Sequence, residues 1–205
     1  MGGDLERLAR LWGTDKGTTR HSYTAPYATH LGPRRRTVTA VLEIGIGGYE
    51  DPHYGGQSLL MWRNYFPRAM VYGLDVFEKQ LSVGSRIVII RGDQSDPDSL
   101  ARALAGCPRF DLIVDDGDHI GSHIVTAFAA LFARLVPGGF YAIEDLQTAY
   151  DPDYGGGPAG TEGTALALVK DLIDELNLGT GRPIATLHAY PGLVLIEKSP
   201  LSASA

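Results

Sequence analysis

Cysteine is almost missing from this chain. Cys107 stands alone among 205 residues, so neither an internal disulfide nor a cysteine-ligated zinc site can form, and a reducing compartment, the cytoplasm, is expected. Also missing is any apolar run near the roughly 20 residues that cross a bilayer. The start, Met1-Gly2-Gly3-Asp4, has no apolar signal core, so a soluble protein is expected. A basic excess is missing too: 24 acidic against 18 basic side chains give a formal charge of −6, which argues against a nucleic-acid backbone or an anionic membrane as partner. The one basic run, Arg34-Arg35-Arg36, reads as a solvated loop before the first strand.

The apolar pattern that is present alternates in type. Leu5, Leu8, Leu11 and Trp12 recur at helical spacing behind Asp4 as N-cap, Gly13 stops that helix, and residues 13–23 read as loop. Branched apolar runs at 38–44, 70–76, 87–90, 112–114 and 140–143 read as five buried strands. Helical segments are expected at 58–65, at 97–105 behind Asp96, at 122–135 and at 164–176. Two last strands, 184–190 and 193–198, are separated only by Pro191-Gly192 and must pair antiparallel. The expected fold is α/β: a doubly wound, mostly parallel seven-stranded sheet closed by an antiparallel C-terminal hairpin. Residues 1–37 form a helix-and-loop leader and 38–205 one catalytic domain. Insertions rich in glycine, proline, tyrosine and acid occur at 49–57 and 150–163, where they read as lids over the ligand-binding edge.

Chemistry-bearing residues gather at strand ends. After Ala40-Val41-Leu42 comes Glu43-Ile44-Gly45-Ile46-Gly47-Gly48, whose glycines let backbone amides approach a polar ligand closely. A dinucleotide fingerprint would need glycine where Glu50 stands, which counts against NAD. Asp75 ends the second strand, where an acid can accept both ribose hydroxyls, and Asp93 ends the third, where adenine would lie. Acids at three successive strand ends, Glu43 included, point to an adenosine-type ligand. The fourth strand runs into Asp115-Asp116-Gly117-Asp118-His119 and the fifth into Glu144-Asp145. Neighbouring parallel strands lie about 4.8 Å apart, so Asp116 and Asp145 can reach one hard cation, magnesium by ligand type. Adjacent strand residues face opposite ways, so only one acid of each pair is expected to ligate, with Glu144 or Asp115 as helpers.

These motifs resemble the class I S-adenosylmethionine methyltransferases, through E-x-G-x-G-G, Asp75, Asp93 and the terminal hairpin. More narrowly, Gly13-Thr14-Asp15-Lys16, LEIGIGGYEDPHYGGQSLLMWRNYFP, GDQSD, DDGDH and IEDLQTAY are similar to the metal-dependent sugar O-methyltransferases of macrolide-antibiotic biosynthesis, over most of residues 13–155. The resemblance implies S-adenosylmethionine bound near Glu43, Gly45, Gly47, Gly48, Ser58, Asp75, Asp93, Gln94 and Asp115. It also implies magnesium between Asp116 and Asp145, and His119 as general base. Some members of that group carry a large extra N-terminal domain; this chain is expected to have only a short leader before Gly13, within an oligomer of identical chains.

A sugar hydroxyl is a poor nucleophile, which explains the inventory: a divalent cation acidifies it while a base takes its proton. His53, Tyr54, Gln147 and Tyr150 are candidate acceptor contacts, and His123 is expected to face solvent. The acceptor expected is a deoxysugar of a glycosylated natural product, or its nucleotide-sugar precursor. A catechol or other vicinal diol is the alternative, and a non-methylating cyclase or regulatory S-adenosylmethionine-binding protein a third reading.

Overall fold

A computed structural model of the chain describes residues 3–159 and 161–200. The outermost residues of the two segments drawn from sequence, 1–2 and 201–205, and Gly160 in the second insertion lie outside the described residues. The elements run α1 (Gly3–Trp12), α2 (Thr24–Leu31), β1 (Ala40–Ile44), α3 (Gln57–Tyr65), β2 (Met70–Asp75), β3 (Ile87–Arg91), α4 (Pro97–Ala103), β4 (Phe110–Asp115), α5 (Gly121–Leu131), β5 (Leu135–Ile143), α6 (Ala165–Leu178), β6 (Ile184–Tyr190) and β7 (Leu193–Lys198). Seven strands form one sheet in the order β3-β2-β1-β4-β5-β7-β6, parallel except where β7 pairs with β5 and β6. This is the class I methyltransferase arrangement expected from the sequence. No helix among the described residues is long and apolar enough to cross a membrane.

The sheet is covered on both faces, which is why its central strands are continuous apolar runs. One face packs against α1, α2 and α3 through Leu5, Tyr27 and Trp62, with Val41, Leu112, Val114, Phe140 and Ala142 pointing into that layer. The other packs against α4, α5 and α6 through Leu100, Phe128 and Leu172, with Leu42, Ile44, Ile113, Tyr141 and Ile143 facing them. The chain order reverses between β1 and β4, so the crevice for a ligand opens at their carboxyl ends.

Several local expectations are corrected. The strand at Ile87–Arg91 is not buried; it is a sheet edge with its side chains half-covered or exposed. Asp4 lies inside the first turn of α1 rather than before it. The helix expected over 122–135 ends at Leu131, tightens into a 3-10 turn at Phe132–Arg134, and passes straight into β5. Pro137 biases Val136 toward extended backbone, and that outweighs the helical spacing of Phe132 and Leu135. The leader also holds a second helix, α2. Its Pro26 is tolerated because first-turn amides lack intrahelical partners anyway.

The arginine run is not a solvated loop. Arg34 donates to the carbonyl of Gly138, pairs with Glu197 at 3.2 Å and lies over the Phe140 ring at 5.0 Å. Arg35 donates to Tyr65 O at 2.6 Å and pairs with Asp4 at 3.0 Å. Arg34 thus clamps the leader to the sheet and Arg35 ties it to α3 and α1, each guanidinium donating to a backbone carbonyl. Only Arg36 is exposed. Arg34→Ala is expected to lower stability by about 1–2 kcal/mol through its lost charged hydrogen bonds. Arg36→Ala should change it by less than about 0.5 kcal/mol. Urea unfolding of both variants checks the contrast, and equal small effects would return the run to solvent.

Candidate active site

Strand parity decides where the acids go. Residues two apart on a strand share a face, so Glu43 follows Val41, Asp116 follows Val114 and Glu144 follows Ala142 toward the layer of α1–α3. The strands are neighbours in register: Glu43 stands beside Val114, and Asp115 beside Ile143. Three carboxylates therefore converge on one spot beneath the N-terminal loop.

Lys16 occupies that spot. Its side chain is 1% exposed, with Nζ 2.6 Å from Asp116 Oδ2, 2.7 Å from Glu144 Oε2 and 3.1 Å from Glu43 Oε1. Burial alone would discharge it, but Asp116, Glu144 and Glu43 together hold its pKa well above the ordinary lysine value. The acids respond to burial in their turn: Glu43 is pushed up to about 6, with Lys16 drawing it back, and Glu144 is also raised. Glu144 takes a second hydrogen bond from Tyr27 Oη at 2.6 Å. The loop carrying Lys16 is itself tied to α1, since Glu6 accepts from the amide and hydroxyl of Thr18 and from Thr24 Oγ1.

Asp145 has the opposite parity and lies just past β5, where a left-handed backbone, φ 51°, redirects it. Asp145 Oδ1 accepts from Tyr23 Oη at 2.7 Å and from Gln147 Nε2 at 3.1 Å, and His21 Nδ1 stands 3.4 Å from the same oxygen. Oδ2 faces His119 Nε2 at 3.5 Å. Burial works upward on this carboxyl, but Tyr23, Gln147 and the two imidazoles bring it below the usual aspartate value. His119 is likewise left-handed, φ 59°. Among the described residues, Asp116, His119 and Asp145 form a potential metal-ligand group whose atoms all lie within 4.8 Å of one another. Two carboxylates and one imidazole suit a hard or borderline divalent cation.

Beside this group a crevice of about 1000 Å³ runs along the ends of β1, β2, β3 and β4. The glycine turn forms its floor. A Cβ on Gly45 would stand 2.0 Å from Asp116 O, so glycine here lets β1 and β4 approach. A Cβ on Gly47 would meet nothing within 4 Å and would project into open space. Gly48, Ser58, Asp75, Asp93, Gln94, Asp116 and His119 also line the crevice. Asp75 Oδ2 accepts from Ile46 N and Oδ1 from Phe77 N, both at 2.9 Å, so the acid fixes the turn while each oxygen keeps a lone pair. Asp93 uses one oxygen on Ser95 of its own turn. Gln94 Nε2 is buried without a partner, an orphan donor on the crevice wall. The open glycine floor and this orphan fit a nucleoside.

Other sequence candidates lie elsewhere. Glu43 sits behind the crevice with its carboxylate turned to Lys16, so any effect on a nucleoside passes through its neighbours. Asp115 is buried on the opposite sheet face, taking a hydrogen bond from Tyr141 Oη at 3.1 Å. Tyr54 lines the crevice mouth, whereas His53 and Tyr150 are exposed and do not, and exposed Gln147 reaches the site only through Asp145. His123 does not simply face solvent: it lines the crevice and pairs with Asp118 at 2.6 Å. Sequence reasoning assigns no role to Lys16, His21 or Tyr23. The available signal is that Lys16 closes the Gly13–Lys16 motif.

Two outcomes follow from this geometry. Gly45→Ala is expected to prevent correct folding, whereas Gly47→Ala should fold with a strain cost of about 1–2 kcal/mol and lose nucleoside binding. Calorimetry with S-adenosylhomocysteine on both proteins reads this. Burial raises the Asp115 carboxyl from 3.8 to about 7. The folded state therefore retains a proton that the unfolded chain releases, and stability falls as pH rises across that window. Asp115→Asn should flatten this slope in metal-free protein, and an unchanged slope would place the responsible group elsewhere.

No protein-family model matches the chain. It is 41% identical over 206 residues to the 8-demethyl-8-alpha-L-rhamnosyl tetracenomycin-C 2′-O-methyltransferase of Streptomyces olivaceus, covering 95% of this chain and 54% of that protein. It is 42% identical over 209 residues to the mycinamicin VI 2″-O-methyltransferase of Micromonospora griseorubida, covering 95% and 52%. A solved structure of the MycE methyltransferase from the mycinamycin biosynthetic pathway, in complex with Mg, SAH and mycinamycin VI, superposes with a TM-score of 0.91 at 42% identity, over 96% of this chain and 53% of that one. The chain spans about half the length of the curated relatives it matches. Over 95% of its residues the chain is thus homologous to the sugar O-methyltransferases of the tetracenomycin and macrolide pathways, and it carries their class I methyltransferase fold.

Proposed function

We propose that this chain is the catalytic part of an S-adenosylmethionine- and magnesium-dependent O-methyltransferase that acts in the cytoplasm on a deoxysugar hydroxyl of a glycosylated natural product or nucleotide-sugar. The observation that carries the reading is the Asp116–His119–Asp145 group at the edge of a glycine-floored crevice. The names of the relatives support the choice of a glycosylated acceptor.

In this reading the free lone pairs of Asp75 take the ribose hydroxyls and the unpaired amide of Gln94 takes a ring edge. Asp116 and Asp145 hold magnesium. When bound, the ion would make a sugar hydroxyl more acidic and orient it, and S-adenosylmethionine would bring a methyl group already activated on sulfur. His119 Nε2 accepts the hydroxyl proton, and Asp145 at 3.5 Å offsets the charge of the imidazolium that results. Tyr54 at the crevice mouth limits water, and the rigid strand ends hold the two substrates in line.

Incubation with S-adenosylmethionine, magnesium and a panel of glycosylated macrolides, nucleotide-sugars and catechols, read by mass, tests the reading. The gain of one methyl group in place of a hydroxyl hydrogen, confined to the sugars, is expected. Chelator should abolish it and magnesium restore it. A gain only on catechols would move the acceptor class, and full activity in chelator after confirmed metal removal would end the metal assignment. His119→Ala should lower turnover by about 10²- to 10⁴-fold, the usual scale of general-base catalysis. It should leave metal affinity nearly intact by calorimetry; loss of the metal would make His119 a ligand instead of the base.

A further inference from the structure

Each of the two carboxylates proposed to hold the cation already has one oxygen engaged by the protein. Asp116 Oδ2 is bound by the Lys16 ammonium at 2.6 Å. Asp145 Oδ1 receives Tyr23 Oη at 2.7 Å and Gln147 Nε2 at 3.1 Å. The oxygens left over are Asp116 Oδ1, which no described side chain engages by hydrogen bond, and Asp145 Oδ2, which faces His119. Two of the three donors are of a kind that holds position: Lys16 and Tyr23 are fully or almost fully buried, and Lys16 is anchored at the same time by Glu43 and Glu144, while Gln147 is exposed.

From this geometry we infer that Lys16 and the Tyr23–Gln147 pair are positioning residues that restrict Asp116 and Asp145 to one ligating oxygen each and so select magnesium over calcium. This rests on the metal reading given above and deepens it. Calcium takes six to eight oxygens and readily accepts both oxygens of one carboxylate, whereas magnesium requires a tight octahedron of single oxygens with water completing it. A carboxylate whose second oxygen is held away by a donor cannot chelate. A site built from two such groups therefore offers calcium too few ligands and magnesium a suitable pair. Partners behind the ligands tune a metal in this way generally.

The test is calorimetric, on the apo-protein with magnesium chloride or calcium chloride, and needs no turnover. The parent is expected to bind magnesium more tightly than calcium. In Tyr23→Phe/Gln147→Ala, where the Tyr23 ring stays in the core, Asp145 Oδ1 loses both of its short donors, keeps only the longer His21 contact at 3.4 Å, and can turn to the ion. Magnesium affinity should fall about 10- to 100-fold, the usual effect of removing such partners, with calcium affinity unchanged or raised. Lys16→Met should shift the ratio the same way at Asp116 if it folds, and the double variant decides the matter if it does not. A parent that binds neither ion overturns the metal reading and this inference together. A parent that binds magnesium, with a magnesium-to-calcium ratio the same in the double variant, overturns the inference alone.

Discussion

The buried ammonium of Lys16 among Glu43, Asp116 and Glu144 is the contact on which the rest of the site depends. Neighbouring parallel strands about 4.8 Å apart would set unscreened carboxylates against one another at roughly 3 kcal/mol per pair in a protein-like medium. Three such acids, two of them almost fully buried, are tolerable only with a cation in their midst. A metal alone would leave the unliganded fold strained. A lysine delivered from the leader solves the problem permanently, and the leader becomes part of the site as a result: Lys16, His21, Tyr23 and Tyr27 all reach the acids from there.

A second constraint sits in the backbone. His119 and Asp145, the pair that face each other at 3.5 Å, both have left-handed conformations. Such residues cost about 1–3 kcal/mol each and persist when surrounding contacts over-determine them. Here Tyr23, Gln147 and His21 hold the Asp145 carboxylate, and Thr148 Oγ1 approaches the His119 carbonyl at 3.4 Å. The cost is accepted where it turns an acid of the wrong parity toward the crevice. Without the turn at Asp145, that side chain would follow Ile143 into the layer of α5 and α6.

Much of this was legible in the sequence because burial writes itself into strands. Continuous apolar runs bounded by acids and glycines locate β1, β2, β4 and β5, and the Pro191-Gly192 turn fixes the hairpin. Parity then separates Asp115 from Asp116 and Glu144 from Asp145. The unread part lies where the deciding partner is distant in the chain. Lys16 lies 100 residues from Asp116 and 128 from Glu144, and nothing in its local pattern announces burial. Arg34 reads as solvated because its carbonyl partner, Gly138, is equally remote. The end of α5 fails for a local reason: the spacing of Phe132 and Leu135 fits a helix, and only Pro137 argues otherwise.

The two faces of the sheet thus divide the chemistry between them. On the α1–α3 side, charge is concentrated and compensated, with the Lys16 ammonium paired to Asp116 Oδ2 beside the crevice. On the α4–α6 side, one residue earlier in the chain, Asp115 takes its side-chain hydrogen bond from Tyr141 and not from a cation among the described residues, and burial pushes its carboxyl up to about 7. Adjacent acids in one motif therefore have different partners, a buried ammonium on one face and a phenol on the other. The difference comes from a single lysine that the leader places on one face and not the other, so the partner of each acid is set by the packing of the N-terminal loop.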